Sequence, residues 1–224
     1  MRKFKKGKIF DYNCIILDMD GTLYYQFPLR VCIVFMILCH YILHLTKIKE
    51  VFILWKFRKL RENYIASINK DDFEEELYKK LSEYYHESLE SIKKLIDYWI
   101  NERPLPLIYF FRDRKLIKAI QKLKMNGIKI IVYSDYPVEK KISALKTLYV
   151  DYQFCAHDKN INCLKPDIQG IKYIIDVLRE SIENILFIGD RYIKDGKCAA
   201  GVGMDYIILS RNPFLRAFQI FSMF

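Results

Sequence analysis

Two carboxylates stand two residues apart in Asp18-Met19-Asp20-Gly21-Thr22, directly behind the apolar run Cys14-Ile15-Ile16-Leu17. Ionised and unpaired, such neighbours repel. A divalent cation removes the repulsion, and Mg²⁺ prefers hard oxygen ligands of this kind. Gly21 permits a sharp turn or a close backbone approach, and Thr22 offers a hydroxyl. Three more polar positions occupy comparable places. Ser134 follows the apolar run Ile128 to Tyr133. Asp190 follows Ile185 to Ile188 and Gly189, with Asp195 five residues on. Lys165 stands just before Pro166. Singly, each has a structural reading. Asp, Gly and Ser are common turn residues, a lysine is usually a solvated charge, and Asp195 could cap a helix. Gathered in one cavity, carboxylates, a cation, a hydroxyl and an ammonium suit a phosphoryl group. Metal and lysine would neutralise its oxygens while a carboxylate attacks phosphorus.

Such a gathering requires the elements behind these residues to lie parallel. Short unbroken apolar runs read as strands covered on both faces. Cys14 to Leu17, Ile128 to Tyr133, Tyr152 to Cys155, Ile185 to Ile188 and Tyr206 to Leu209 fit. Helical patterns fall between them: Asp113 to Asn126 with Gly127 as stop, Val138 to Leu148, Pro166 to Leu178, and Asp195 to Ala200. Strand–helix alternation of this kind predicts an α/β fold with a doubly wound, mostly parallel sheet. Its strands would end on one edge, where open α/β sheets bind ligands.

The alternation is interrupted. Tyr24 to Pro28 reads as a connection, and residues 27–107 read as an inserted helical domain, leaving 1–26 and 108–224 for the core. Within the insertion, Val31 to Leu45 is apolar or aromatic except for His40 and His44, and the uncharged stretch to Thr46 is 16 residues long. A spanning helix wants about 20, so a buried or dimer-forming helix is expected, with a membrane-associated one as the alternative. His40 and His44 share a helix face, and a structural role is expected of them. Lys47 to Arg61 reads as a second helix with one apolar and one basic side. Asp71 with Glu74 resembles a helix start, and Phe73 to Trp99 follows as one long amphipathic helix or two in succession. The apolar tail from Arg211 is expected to pack on the sheet.

Asp18-Met19-Asp20-Gly21-Thr22, Ser134 in Tyr-Ser-Asp-Tyr, Lys165 in Leu-Lys-Pro-Asp, and Gly189-Asp190 with Asp195 follow in the order seen in the haloacid dehalogenase superfamily, which the chain resembles over residues 12–26 and 108–210. The resemblance implies a Rossmann-like core with a helical cap between the first two motifs. It implies a Mg²⁺-dependent phosphatase in which Asp18 is the nucleophile and Asp20 the general acid and base. Asp18, the Asp20 carbonyl and Asp190 would hold the metal, with Asp195 supporting, and Ser134 and Lys165 would bind the phosphoryl oxygens. Dehalogenases of the superfamily lack the second aspartate, so Asp20 argues against carbon–halogen cleavage. A phosphomutase shares the core. A phosphonatase would need a cap lysine, for which Lys47, Lys49 or Lys56 are candidates. Specificity is expected from the cap and from Tyr24, Tyr25 and Gln26.

With 224 residues and 52% hydrophobic content the chain can build a sizeable core. The net charge is +10. Part of it is Arg2, Lys3, Lys5, Lys6 and Lys8, read as a solvated tail. The rest suits an anionic, small phosphorylated substrate. No nucleic-acid signature accompanies the charge. A membrane-surface association, or an interaction protein, is the alternative function. Six scattered cysteines without a Cys-x-x-Cys pair point to a reducing, cytoplasmic setting.

Overall fold

The computed structural model describes residues 2–3, 9–63, 73–146 and 149–223. It divides into two compact units, Met1–Gln26 with Ile108–Phe224, and Phe27–Leu107.

The first unit is built on a six-stranded sheet of β1 (Arg2–Lys3), β2 (Cys14–Leu17), β3 (Lys129–Ser134), β4 (Tyr152–Cys155), β5 (Ile185–Gly189) and β6 (Asp205–Ile208). The strands lie in the order β1-β6-β5-β2-β3-β4. All pairings are parallel except that of β1 with β6. β2 is central, every residue of it is buried, and Leu17 lies level with Val132 and Ile188. That register brings the C-terminal ends of β2, β3 and β5 to one edge. Alternation of side chains sends Ile16, Ile131, Tyr133 and Phe187 into one core layer with Ile171, Ile174 and Leu178.

The helices are α1 (Gln26–Leu43), α2 (Lys49–Glu62), α3 (Phe73–Tyr85), α4 (Leu89–Ile96), α5 (Leu105–Phe111), α6 (Arg114–Met125), α7 (Glu139–Leu145), α8 (Gln169–Leu178), α9 (Lys197–Gly201) and α10 (Pro213–Met223). α6 shows how sequence sets bounds. Asp113 caps it by accepting the N–H groups of Lys115 and Leu116. Leu116, Ile117, Ile120 and Leu123 form its buried stripe, and Gly127 leaves it at φ +81°. α6 packs beside β3 and α10 packs against α6.

Several expectations need correction. α1 begins at Gln26, so Tyr24 to Pro28 is not all connection: Pro28 fits within a first turn, where its missing N–H costs nothing. Leu29, Ile33 and Tyr41 are the buried residues of α1, so it is not a buried helix. α8 begins at Gln169 and not at Pro166, because the Asp167 carboxylate accepts the Gln169 N–H at 2.8 Å and starts the helix there. Asp195 opens no helix; it lies in the π-type turn Tyr192–Gly196 ahead of α9. Arg2 and Lys3 are not tail but an edge strand opposite Ile207 and Tyr206, while Lys5, Lys6, Lys8 and Asp71 fall outside the described residues.

The second unit is helical. Phe73 to Trp99 resolves into α3 and α4, joined through His86 at φ +52°, followed by a π-type turn, Asp97–Glu102. α2, α3 and α4 pack on one another. Arg61 is buried there, donating to Glu74 at 2.6 Å beneath the rings of Phe57 and Phe73. His40 stacks on His44 and meets the edge of Trp99.

Candidate active site

Asp18 leaves the end of β2 with its N–H still paired to the Ile188 carbonyl at 2.9 Å. Its Oδ1 accepts from Lys165 Nζ at 2.5 Å, and its Oδ2 from the Thr22 hydroxyl at 3.0 Å. Lys165 Nζ also donates to Asp195 Oδ1 at 2.7 Å, and Asp195 Oδ2 accepts the Arg191 N–H at 3.0 Å. The tight turn holding Asp195 therefore presents its carboxylate to the sheet edge. One oxygen each from Asp18, Asp190 and Asp195 lie within 4.8 Å of one another.

Two glycines make this approach possible. Gly21 has φ +99°, and a Cβ there would meet the Asp190 carboxylate at 2.6–3.0 Å. A Cβ on Gly189 would meet Asp195 at 2.5 Å. Larger residues would push the carboxylates off the strand ends.

Asp20 makes a separate cluster. Its carboxylate accepts from Lys141 Nζ at 2.7 and 2.8 Å, from the Ser134 hydroxyl at 3.2 Å, and from the Tyr24 hydroxyl. The structure thus groups Asp18, Asp190, Asp195 and Lys165 on one side, and Asp20 with Ser134 on the other. Of the residues expected to set specificity, Tyr24 joins the second group. Tyr25 instead lies against the guanidinium of Arg216.

Three participants escaped the sequence reading. Lys141 carried a signal: a lysine in the first turn of α7 opposes the helix dipole and needs a local anion. Asp135 accepts the Lys165 N–H at 3.0 Å and Lys194 Nζ at 2.8 Å, and so shapes the lysine loop. Arg216, 1% exposed on α10, donates to Asp113 at 2.6 Å, to the Gly21 carbonyl at 2.9 Å and to the Thr22 carbonyl. It grips the turn that follows the two aspartates.

Burial works against ionisation here. It raises the Asp18 carboxyl well above its usual range, with Asp195 and Asp190 adding to the effect against Lys165. Burial, then Asp195, lifts Asp190 to about 6. Burial disfavours the Lys165 ammonium, but Asp18, Asp195 and Asp135 outweigh it and hold the lysine protonated well beyond its normal range. For Asp20, burial is overcome by Lys141, helped by Tyr24 and Ser134, and the carboxyl falls below its ordinary value.

Three converging carboxylates against one ammonium form an anionic hole, and Asp190 Oδ1 is buried without a hydrogen-bond partner among the described residues. That unsatisfied oxygen and the all-oxygen donor set fit a hard divalent cation.

A family model for haloacid dehalogenase-like hydrolases matches residues 12–203. Among solved structures, a 2-haloacid dehalogenase from Pseudomonas syringae is similar at 16% identity and TM-score 0.61, covering 88% of this chain and 86% of that one. A HAD-type protein from Bacillus subtilis, solved bound to magnesium, is similar at 14% identity and TM-score 0.57, with coverage of 88% and 86%. A HAD phosphatase from Thermococcus onnurineus is similar at 17% identity and TM-score 0.54, with coverage of 90% and 87%. At these identities the likeness is one of fold. No curated protein sequence matches.

Proposed function

The chain belongs to the haloacid dehalogenase-like hydrolases, and from that premise we propose that it is a Mg²⁺-dependent phosphatase acting on a small phosphomonoester. The observation that carries the reading is the pairing of a buried, lysine-bound Asp18 with a second carboxylate, Asp20, held by its own separate set of partners. One carboxylate is positioned to attack and the other to move protons.

Asp18, Asp190 and the Asp20 carbonyl would hold the cation, with Asp195 supporting. When bound, it would neutralise the carboxylates and the phosphoryl oxygens. In the first step an Asp18 oxygen attacks phosphorus, the bond to the leaving oxygen breaks, and Asp20 gives that oxygen its proton. The approach of an anionic phosphate beside Asp20 raises its proton affinity for this role. In the second step Asp20 takes a proton from water. That water attacks the aspartyl-phosphate and returns the Asp18 carboxylate and inorganic phosphate. Lys165 offsets the charge of Asp18 throughout, and Ser134 and Lys165 bind phosphoryl oxygens. Asp20 supports phosphoryl transfer over carbon–halogen cleavage, which has no leaving oxygen to protonate. We assign substrate choice to the helical unit, 27–107, acting as a cap.

The test is phosphate release from an aryl phosphate and from a panel of phosphorylated metabolites, with and without Mg²⁺. The wild-type chain should turn over only with the metal, and Asp18→Asn should lose about 10³-fold or more. Turnover retained in Asp18→Asn would remove it as nucleophile.

A further inference from the structure

α1 carries apolar side chains on both of its faces. Leu29, Ile33 and Tyr41 are buried, and Tyr41 is tied into the helical unit by donating to Glu50 at 2.6 Å and accepting from Trp99 Nε1 at 3.2 Å. Phe27, Val31, Val34, Phe35, Leu38 and Ile42 recur at helical spacing on the other side, each between 51 and 80% exposed. From Leu43 at the helix end the exposure continues through Leu45 and Ile48 to Phe52 and Trp55 on α2. Scattered exposed apolar residues are ordinary, but a continuous stripe over five turns marks a contact surface.

Charge indicates what covers it. Residues 27–61 hold seven Lys and Arg against a single acid, Glu50. Glu50 is engaged by Tyr41, and Arg61 is buried with Glu74. Lys47, Arg58 and Lys59 are exposed, whereas Lys49, also exposed, is paired with Glu87 at 2.8 Å. Lys59 lies over the ring of the exposed Trp55 at 5.1 Å to its centre, an amphipathic pair suited to a headgroup layer.

We propose that the helical unit docks on the surface of a bilayer rich in anionic phospholipid. α1 lies in the plane of the interface with its apolar stripe among the acyl chains, and Lys47, Arg58 and Lys59 reach the headgroup phosphates. α1 is long and apolar enough to cross a membrane by length and composition. Its buried face and the Tyr41–Glu50 bond keep it against its own unit, which is the arrangement of a helix lying on a membrane. A second copy of this chain is the weaker occupant, because a two-fold contact sets each basic rim against an identical one.

The chain supplies its own probe, since it has two tryptophans: Trp55 is 60% exposed and Trp99 3%. The full chain is mixed with vesicles of phosphatidylcholine and phosphatidylglycerol in equal parts, or of phosphatidylcholine only, and followed by flotation and tryptophan emission. Binding to the anionic vesicles should exceed binding to the neutral ones by about tenfold or more, and should weaken in high salt. A blue shift should accompany it and vanish in Trp55→Phe. Lys47→Glu with Lys59→Glu, and separately Leu38→Glu, should each cut binding by about tenfold or more. Circular dichroism and thermal melting check that these variants fold. Absence of binding, or equal binding to both vesicles, overturns the proposal. So does a concentration-dependent dimer, abolished by Leu38→Glu, in a chain that ignores vesicles. The outcome is independent of whether phosphate is released.

Discussion

Asp18, Asp190 and Asp195 bring three acids close together around a single ammonium, and burial raises the first two. Without a cation this arrangement costs stability. Asp190→Asn should therefore raise the melting temperature of the metal-free protein, while erasing the stabilisation that wild type gains from Mg²⁺. Scanning calorimetry with chelator and with Mg²⁺ reads both, and a variant that still responds like wild type would remove Asp190 from the metal site. Lys141 answers a different need. Both of its hydrogen bonds go to Asp20, outside the cluster of three acids, and it lies over the Tyr136 ring. Lys141→Met should lower kcat by about 10²-fold with little change in the Mg²⁺ concentration at half-maximal rate. Lys141→Arg should recover part of the loss. A shift in metal requirement instead would place its effect on the cation. Neither the contact between Lys141 and Asp20 nor the one between Asp18 and Lys165 is local, yet the second was easier to foresee. Lys165 sits in a recognisable run, whereas Lys141 lies among other charges of an ordinary helix.

At the scale of elements, the sheet was legible because its strands are short apolar runs that stop at polar residues, and the register turns those stops into one edge. Helix starts were less legible. Asp167 decides where α8 begins through its own side chain, and the turn containing Asp195 is set by that carboxylate accepting the Arg191 N–H. The reach of α10 was not legible, since Arg216 meets Gly21 across 195 residues of sequence. The same guanidinium binds Asp113, which caps α6, so one side chain ties two helices to the turn after Asp18 and Asp20. Arg216→Met should cost about 3–5 kcal/mol by leaving a buried carboxylate uncompensated. Adding Asp113→Asn, which keeps the cap oxygen but not the charge, should recover part of that. Denaturant titrations of the three variants give the values, and a cost for Arg216→Met below about 1 kcal/mol would mean the clamp is slack.

The family match stops at residue 203, before β6 and α10, yet both lie in the core unit, and α10 supplies the residue that grips the turn after Asp18 and Asp20. The helical unit contains the exposed stripe and, within residues 27–61, a local excess of Lys and Arg, neither of which the sheet requires. β1 has a consequence of another kind. A bare outermost strand offers its backbone donors and acceptors to any passing chain. Arg2 and Lys3 occupy that position, paired with Ile207 and Tyr206 of β6. Removing the first eight residues should leave catalysis largely untouched but create a sticky margin, and light scattering on storage would record the resulting oligomers.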